Sequence, residues 1–422
     1  MTSRLITWVC LLFPITLWAQ QPDTLNLETC YRLAKQNEPV LQRNPLLQRQ
    51  LQWTISDLQA RFMPQLSAHA QATYQSDVTS IPFRIPNQQV PQVPKDQYKA
   101  TLDLDQLILD GGRVHKQMQV AAASSRLAQG QQDVEFHSLK EQLMDLYETM
   151  LVLDASQQAL ALKRQTLKQQ IRRIQAAVTN GSGLSSQADE FRAASLELQQ
   201  RIREVQANRR STLQALSLLT GTRWPDSVQL KIPEVAGSLT DTAIQRPELR
   251  QFKLKDQLLD RQIDLAGKLN RPSLYGFVQG GYGRPGLNML SSDFEWYYLA
   301  GLRLDWTLWD WGTRRRQQRS LQADRDLNDL DRQEFLLQTR QQLDRQQEAI
   351  RELQDQLSVD QKLVRLRKKI VLTAAAQLAQ GVITPTEYLI ELQDETEARI
   401  TRQTHRIQLT FAQLKDHLLK SP

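Results

Sequence analysis

The feature that most constrains this chain is a strand-to-helix junction written twice. Positions 102–112 read LDLDQLILDGG and positions 302–312 read LRLDWTLWDWG. Leu102, Leu104, Asp105, Asp110 and Gly112 thus return as Leu302, Leu304, Asp305, Asp310 and Gly312. Each copy begins with apolar–polar alternation and ends in Asp-x-Gly, where a long charged helical pattern takes over. Earlier landmarks repeat too: Pro39, Leu41, Pro64 and Tyr74 return as Pro247, Leu249, Pro272 and Tyr282, all 208 positions later. The pattern Gly183, Ser186, Asp189 matches Gly381, Thr384, Glu387 at an offset of 198. A slowly drifting offset is what loop-length differences between two copies produce, so an internal duplication is expected.

At 422 residues the length would suggest two or three globular domains. Only 16 Gly and 16 Pro punctuate it, however, and its tracts of Gln, Arg and Leu favour long helices over compact cores. Positions 1–20 read as a secretory signal, with Arg4, an apolar run from Leu5 to Leu17, and Ala19 near a cleavage point at Gln20. That run is too short to span a bilayer. No later segment approaches the roughly 18 consecutive apolar residues of a transmembrane helix. Loss of the signal removes Cys10 and leaves Cys30 alone, which excludes an internal disulfide.

The formal charge of +7 comes from Arg and Lys interleaved with Glu and Asp along helical tracts. That interleaving describes solvated helix faces rather than a nucleic-acid surface. The five His residues are scattered, without a Cys or His neighbour at metal-ligand spacing. No glycine-rich phosphate loop precedes a helix. The serines at 182–186 lie in a turn without the preceding strand a nucleophile elbow needs. Neither catalysis nor a metal or other cofactor is expected.

Four segments alternate with period two: 64–75, 98–108, 272–282 and 296–308. In the first, Leu66, Ala68, Ala70, Ala72 and Tyr74 share a face opposite Ser67, His69, Gln71 and Thr73. A loop containing Pro82, Pro86, Pro91 and Pro94 separates it from the second. Segments of about ten residues with one apolar and one polar face match strands that cross an outer membrane, lipid on one side and water on the other. Tyr74, Tyr98, Tyr282 and Trp296 fall at the loop ends of these strands, and Trp306, Trp309 and Trp311 at the helix ends. Two aromatic belts fit a membrane with two interfaces. A soluble sheet with one wet face explains the alternation but not the belts. Four strands cannot close a conducting barrel and lipid does not tolerate open edges, so several chains must share one barrel.

Two long helices are expected at 113–180 and 313–380, about 90–100 Å each. Their apolar residues, such as Leu336, Leu343, Ile350, Leu357 and Val364, recur every seven positions and form coiled-coil seams. Each ends at a Gly-containing turn, after which Ser186 and Thr384 are expected to cap return helices at 185–220 and 385–419. Pro385 suits a first helical position. The domain reading is therefore a signal (1–20), repeat 1 (21–220), a linker (221–241) and repeat 2 (242–422), the last opening with a helix at 247–270.

This order of signal, paired helices, Pro-led strand, strand ending in Asp-x-Gly, long helix and Gly-turn hairpin, twice over, resembles the TolC-type outer-membrane efflux channels. The resemblance covers the whole mature chain. It implies a mainly α fold with membrane β structure: a homotrimer whose twelve-stranded β-barrel, four strands per chain, continues into a long periplasmic α-helical coiled-coil barrel. It also implies an outer-membrane exit duct for an inner-membrane pump, joined through a periplasmic adaptor protein and passing small toxic molecules passively. Type I polypeptide secretion is the alternative within that family, and a non-conducting periplasmic coiled-coil scaffold the alternative outside it. By the same resemblance, Asp189 and Glu387 would line a pore constriction, and Gly181, Gly183, Leu184, Gly381 and Val382 would form the adaptor-docking tips. Ile383 and Ile390 stand where family members carry a basic and an acidic residue.

Overall fold

The computed structural model describes residues 24–79, 93–234, 243–289 and 291–421. The expected signal, Pro82, Pro86, Pro91 and part of the expected linker lie outside the described residues. In chain order the elements are β1 (Thr24–Leu25), α1 (Leu27–Asn37), a 3-10 turn (Pro39–Arg43), α2 (Asn44–Ala60), β2 (Gln65–Tyr74), β3 (Asp96–Leu109), α3 (Arg113–Thr179), α4 (Ser185–Thr220), β4 (Gln229–Leu230), α5 (Pro247–Ala266), β5 (Ser273–Arg284), β6 (Glu295–Asp305), α6 (Thr313–Ala379) and α7 (Pro385–Lys420). They form two compact units. One comprises Glu38–Glu141, Ser238–Ala349 and Lys415–Pro422; the other comprises Met1–Asn37, Gln142–Gly237 and Ile350–Leu414.

The first unit is built on a four-stranded antiparallel sheet in the order β2-β3-β5-β6. Its register runs through Leu66, Leu104, Val278 and Ala300, each opposite the next. The period-two faces of all four strands therefore coincide across the sheet. β6 ends at Asp305, opposite Ser273, the first residue of β5. Pro272 precedes Ser273 and has no N–H to continue the ladder. The expected strand to 308 is thus corrected to 305, and the Trp306 indole donates instead to the Asn270 carbonyl at 3.1 Å. Leu58, Leu107 and Val114, with Phe62, Met118 and Tyr275, pack α2 and the start of α3 onto the sheet.

Asp-x-Gly works identically at both junctions. The Asp110 carboxylate accepts from Gly112 N at 2.8 Å and from Val114 N. Asp310 accepts from Gly312 N at 2.9 Å and Arg314 N at 3.0 Å. These bonds satisfy N–H groups that a helix start leaves without partners. They hold the Asp310 carboxyl below its usual range, with the Arg314 N–H as the largest cause and the Asn270 side chain next. The middle residue is left-handed in both copies, Gly111 at φ 65° and Trp311 at φ 53°. A Cβ on Gly111 would lie 2.4 Å from the Arg271 Cβ, so glycine is required there. Trp311 holds the same conformation at a cost of about 1–2 kcal/mol.

The second unit holds the C-terminal parts of α3 and α6 with α4 and most of α7, together with β1, α1 and β4. α3 and α6 have 67 residues each, and α4 and α7 have 36 each. Every one of these elements starts and ends 200 positions after its counterpart. Leu160, Leu167, Phe191, Leu198, Val205, Ala374, Tyr388 and Leu392 form their shared apolar core. β1 and β4 pair in parallel beside α3, where the Tyr147 hydroxyl lies 2.7 Å from the Leu25 carbonyl and 2.8 Å from that of Lys231. The buried Arg209 clasps the same segment, bonding Asp154 and the Asp226 carbonyl at 2.6 Å and the Val228 carbonyl at 2.8 Å. Cys30 is fully buried here, and desolvation pushes its thiol up to about 12.

Because both junctions rest on one carboxylate, Asp110→Ala and Asp310→Ala should each cost about 1–2 kcal/mol, the size of a lost helix cap. Asn at either position should retain most of it. Thermal melts of the purified variants measure the difference.

Candidate functional site

Two parts of the chain are unusual enough to carry function: the faces of the sheet and the turns of the hairpins. One face presents Leu66, Leu102, Leu104, Val278, Leu302 and Leu304 with Ala68, Ala70 and Ala100, and its large side chains are exposed. An uncovered apolar surface of this extent is not stable in water and needs an apolar medium against it. The opposite face is polar and internally bonded. The Thr101 hydroxyl donates to Asp103 at 2.8 Å, Gln279 donates to the same carboxylate, and Arg303 lies 3.7 Å from Asp105. Two aromatic rings on this face lie over glycines. A Cβ on Gly281 would meet the Tyr297 ring at 2.3 Å, and one on Gly301 would meet Phe277 at 2.8 Å. Glycine there lets the rings lie flat against the sheet and fill space beside the polar network.

The aromatic residues read from the sequence cluster at strand ends. Tyr282 and Trp296 are cross-strand partners with ring centroids 4.8 Å apart. Tyr98 and Tyr282 both pack on Phe294, at 6.1 and 5.5 Å. Phe294 has no place in the alternation pattern, because it precedes β6. Tyr74 is exposed at the end of β2. After β6, Trp309 and Trp311 meet edge to face at 5.9 Å, and Trp306, Leu308, Trp309 and Trp311 are all more than half exposed.

At the hairpin turns, Gly181 and Gly381 are left-handed at φ 73° and 70°. Each closes its helix by the same pair of bonds: Ser182 N to Ala177 O and Gly181 N to Val178 O, matched by Val382 N to Gln377 O and Gly381 N to Leu378 O. This is the glycine C-cap, which only a residue free to adopt positive φ makes without strain. Leu184 and Val382 project beside the turns, each 66% exposed. Gly183 packs close, where a Cβ would approach Ala177 Cβ at 3.2 Å. Its counterpart Ile383 instead packs on the apolar core.

Three expectations about the turns are corrected. The glycines align as Gly181 with Gly381, so the offset is 200 and not 198. Ser186 does not cap α4: the N-cap is Leu184, which offers no side-chain acceptor, and Ser186 is already inside the helix. Asp189 and Glu387 are not counterparts, since Leu389 matches the first and Gln187 the second. Two residues along a helix turn a side chain by about 200°, so the acids belong to different faces and levels. Their partners differ as well. Asp189 is exposed beside Arg192 at 2.8 Å. Glu387 is bound to Thr384, taking its N–H at 2.7 Å and its hydroxyl at 2.9 Å, while Glu387 N donates to Thr384 Oγ1 at 3.3 Å. That reciprocal pair is a capping box, and Thr384 does cap α7.

Among the described residues no group of His, Cys, Asp and Glu could hold a metal ion. No described helix is long and apolar enough to cross a membrane.

A fold of two repeats, each pairing two membrane-suited strands with a long helical hairpin, defines the class of outer-membrane channel proteins. The sequence matches the family model for outer membrane efflux proteins over residues 30–222 and 239–414, and the chain belongs to that family. No curated protein matches the sequence. Among solved structures, the outer membrane protein VceC of Vibrio cholerae is 15% identical with a TM-score of 0.67, covering 94% of this chain and 96% of that one. The CmeC channel of Campylobacter jejuni is 15% identical with a TM-score of 0.65, covering 93% and 85%. The open-state MtrE channel of Neisseria gonorrhoeae gives 15%, 0.65, 93% and 88%. Likeness at this identity establishes the shared fold.

The capping box makes the start of α7 sensitive to acid. Its hydrogen bonds to Thr384 hold the Glu387 carboxyl below its usual range. A depressed carboxyl stabilises fully above its unfolded value and loses that contribution as pH falls through the folded one. Amides in the first turn of α7 should therefore exchange faster at about pH 3 than at about pH 6, after correction for intrinsic rates. Glu387→Gln should flatten that dependence, while the first turn of α4 should show no comparable change.

Proposed function

We propose that the chain is the outer-membrane exit duct of a tripartite efflux assembly, passing small toxic molecules passively while an inner-membrane pump supplies the energy. The observation that carries this reading is the sheet. It has one exposed apolar face, one bonded polar face, and outer edges on β2 and β6 that no strand covers among the described residues. Three copies joined edge to edge would turn the apolar faces to lipid and the polar faces to water, giving a twelve-stranded barrel. Tyr74, Tyr98, Tyr282 and Trp296 would sit at one membrane interface and Trp306, Trp309 and Trp311 at the other, as aromatic side chains prefer. The helical hairpins would stand in the periplasm of a Gram-negative cell. Membership of the outer membrane efflux protein family supports this arrangement.

The repeat boundaries at 21–220 and 242–422, with a signal at 1–20 and a linker at 221–241, belong to the same reading. The hairpin turns, with Gly181, Gly183, Leu184, Gly381 and Val382, are the surface proposed for the periplasmic adaptor. Leu184 and Val382 are its apolar contacts, because they alone of these five combine a large side chain with exposure. Asp189 and Glu387 are the proposed acids of the pore constriction, at two levels rather than in one ring. Both are engaged, Asp189 by the Arg192 cation and Glu387 by hydrogen bonds from neutral Thr384.

Planar-bilayer recording tests the reading. The purified protein should run as a trimer in detergent and give stepwise conductance with cation preference. Asp189→Asn and Glu387→Gln should each shift the reversal potential in a salt gradient away from cation preference. A monomer that gives no steps would overturn the duct, and an unchanged reversal potential in both variants would overturn the acids' role.

A further inference from the structure

The start of α6 carries a surface that its twin at the start of α3 lacks. With both helices displaced by 200 positions, residues 306–319 correspond to 106–119. Trp306, Trp309 and Trp311 stand where the first repeat has Gln106, Leu109 and Gly111. Arg315, Arg316 and Arg319 stand where it has His115, Lys116 and Gln119. The first-repeat groups are engaged with one another or with α5: Lys116 pairs with Asp264 at 2.7 Å, and His115 Nε2 lies 3.0 Å from Gln119 Nε2. The junction shared by the two repeats therefore requires neither the indoles nor the arginines.

All six of these second-repeat residues are exposed. Arg315, Arg319 and Arg316 fall within about 100° of one another around the helix, so their charges share one face. Arg316 reaches back to the turn, donating to the Trp311 carbonyl at 2.8 Å and to Thr313 Oγ1 at 3.2 Å. Among the described residues Arg315 and Arg319 have no hydrogen-bond or ion-pair partner for their side chains. No acid stands between Asp310 and Asp324. The Asp310 carboxylate is taken by Gly312 N, Arg314 N and the Asn270 side chain. The loop after α5, which carries Lys268 and Arg271, is fastened to the same turn through Asn270. Cations in the first turns of a helix face the positive end of its dipole and are opposed by it. Four arginines within the first seven residues of α6 thus break a local rule, with no acid in that stretch to offset them. Such a break is expected where a surface serves a ligand of opposite charge.

We propose that this surface binds the headgroups of anionic phospholipid on the side of the membrane from which the helices leave. The inference rests on the reading of the sheet as membrane-spanning. Indoles settle at the boundary between hydrocarbon and water, which places Trp306, Trp309 and Trp311 at the inner edge of the headgroup layer. Arg315 to Arg319 advance at most about 6 Å along the helix axis from first to last. A headgroup layer is about 5–8 Å deep, so all three guanidinium groups lie within it. Guanidinium is suited to phosphate because its planar N–H groups bond two phosphate oxygens at once. The helix end itself is not the site, since Asp310 already takes its first N–H groups. The charged side chains do the binding, and the neighbouring indoles fix their depth.

Quenching of tryptophan fluorescence by brominated lipid tests it, with the full-length protein reconstituted into phosphatidylcholine vesicles. At equal mole fraction, brominated phosphatidylglycerol should quench more than brominated phosphatidylcholine, corresponding to about five-fold enrichment at the protein, the contribution of one arginine at an anionic surface. Replacing all three arginines, Arg315→Gln, Arg316→Gln and Arg319→Gln, should bring the two lipids level. Removing the same charge farther along α6, with Arg340→Gln, Arg345→Gln and Arg365→Gln, should leave the preference intact. If the first variant does not fold, Arg315→Gln with Arg319→Gln should remove at least half of the preference. Inorganic phosphate should weaken it no more than sodium chloride of the same ionic strength. Equal quenching of the unaltered protein by the two lipids, a preference that survives loss of the arginines, or one lost equally in the distant variant would each overturn the proposal. So would a preference that phosphate alone removes, which would mark a site for a free anion. No quenching by either lipid would overturn the membrane reading, and the proposal with it.

Discussion

A membrane offers no water to backbone groups, and every N–H and C=O within it must find a partner in protein. An unsatisfied group costs several kcal/mol. In this chain β3 and β5 satisfy each other and their neighbours, but the outer edges of β2 and β6 do not close on one another within the four-strand sheet. The sheet therefore fits lipid only when other strands complete it. A second requirement runs alongside. Its apolar face must meet hydrocarbon and its Asp103–Thr101–Gln279 network must meet water. Edge-to-edge joining of copies meets both requirements at once.

The Asp-x-Gly junctions convert this sheet into helices without leaving an unbonded helix start. The carboxylates of Asp110 and Asp310 take two helix N–H groups each, and left-handed residues turn the chain into α3 and α6. Duplication then supplies four strands and two hairpins from one design. The copies diverge where they are under different demands. Gly111 leaves no room for a side chain against Arg271, whereas its twin Trp311 projects into open surroundings beside Trp309.

Much of this was legible in the sequence because the signals are periodic. Period-two alternation placed the four strands and their faces, and the Gly turns placed the hairpins. The strand-end aromatics fell into clusters for the same reason. Local chemistry was harder to read. Gly183-x-x-Ser186 imitates Gly381-x-x-Thr384, but helix C-caps need positive φ, and Gly181 rather than Gly183 supplies it. That two-residue slip carried Ser186 into a capping role and Asp189 into equivalence with Glu387. The strand expected to reach 308 stopped at Asp305 because its partner begins after a proline.

The central claim is that β2 of one copy pairs with β6 of the next. Single cysteines placed along β2 and β6 in a Cys30→Ser background, oxidised in outer-membrane preparations, test it most directly. The account predicts pairs that crosslink between chains and accumulate as covalent trimer, with crosslinking recurring at alternate positions along each strand. Crosslinks formed only within one chain, or none at any pair of positions, would contradict it.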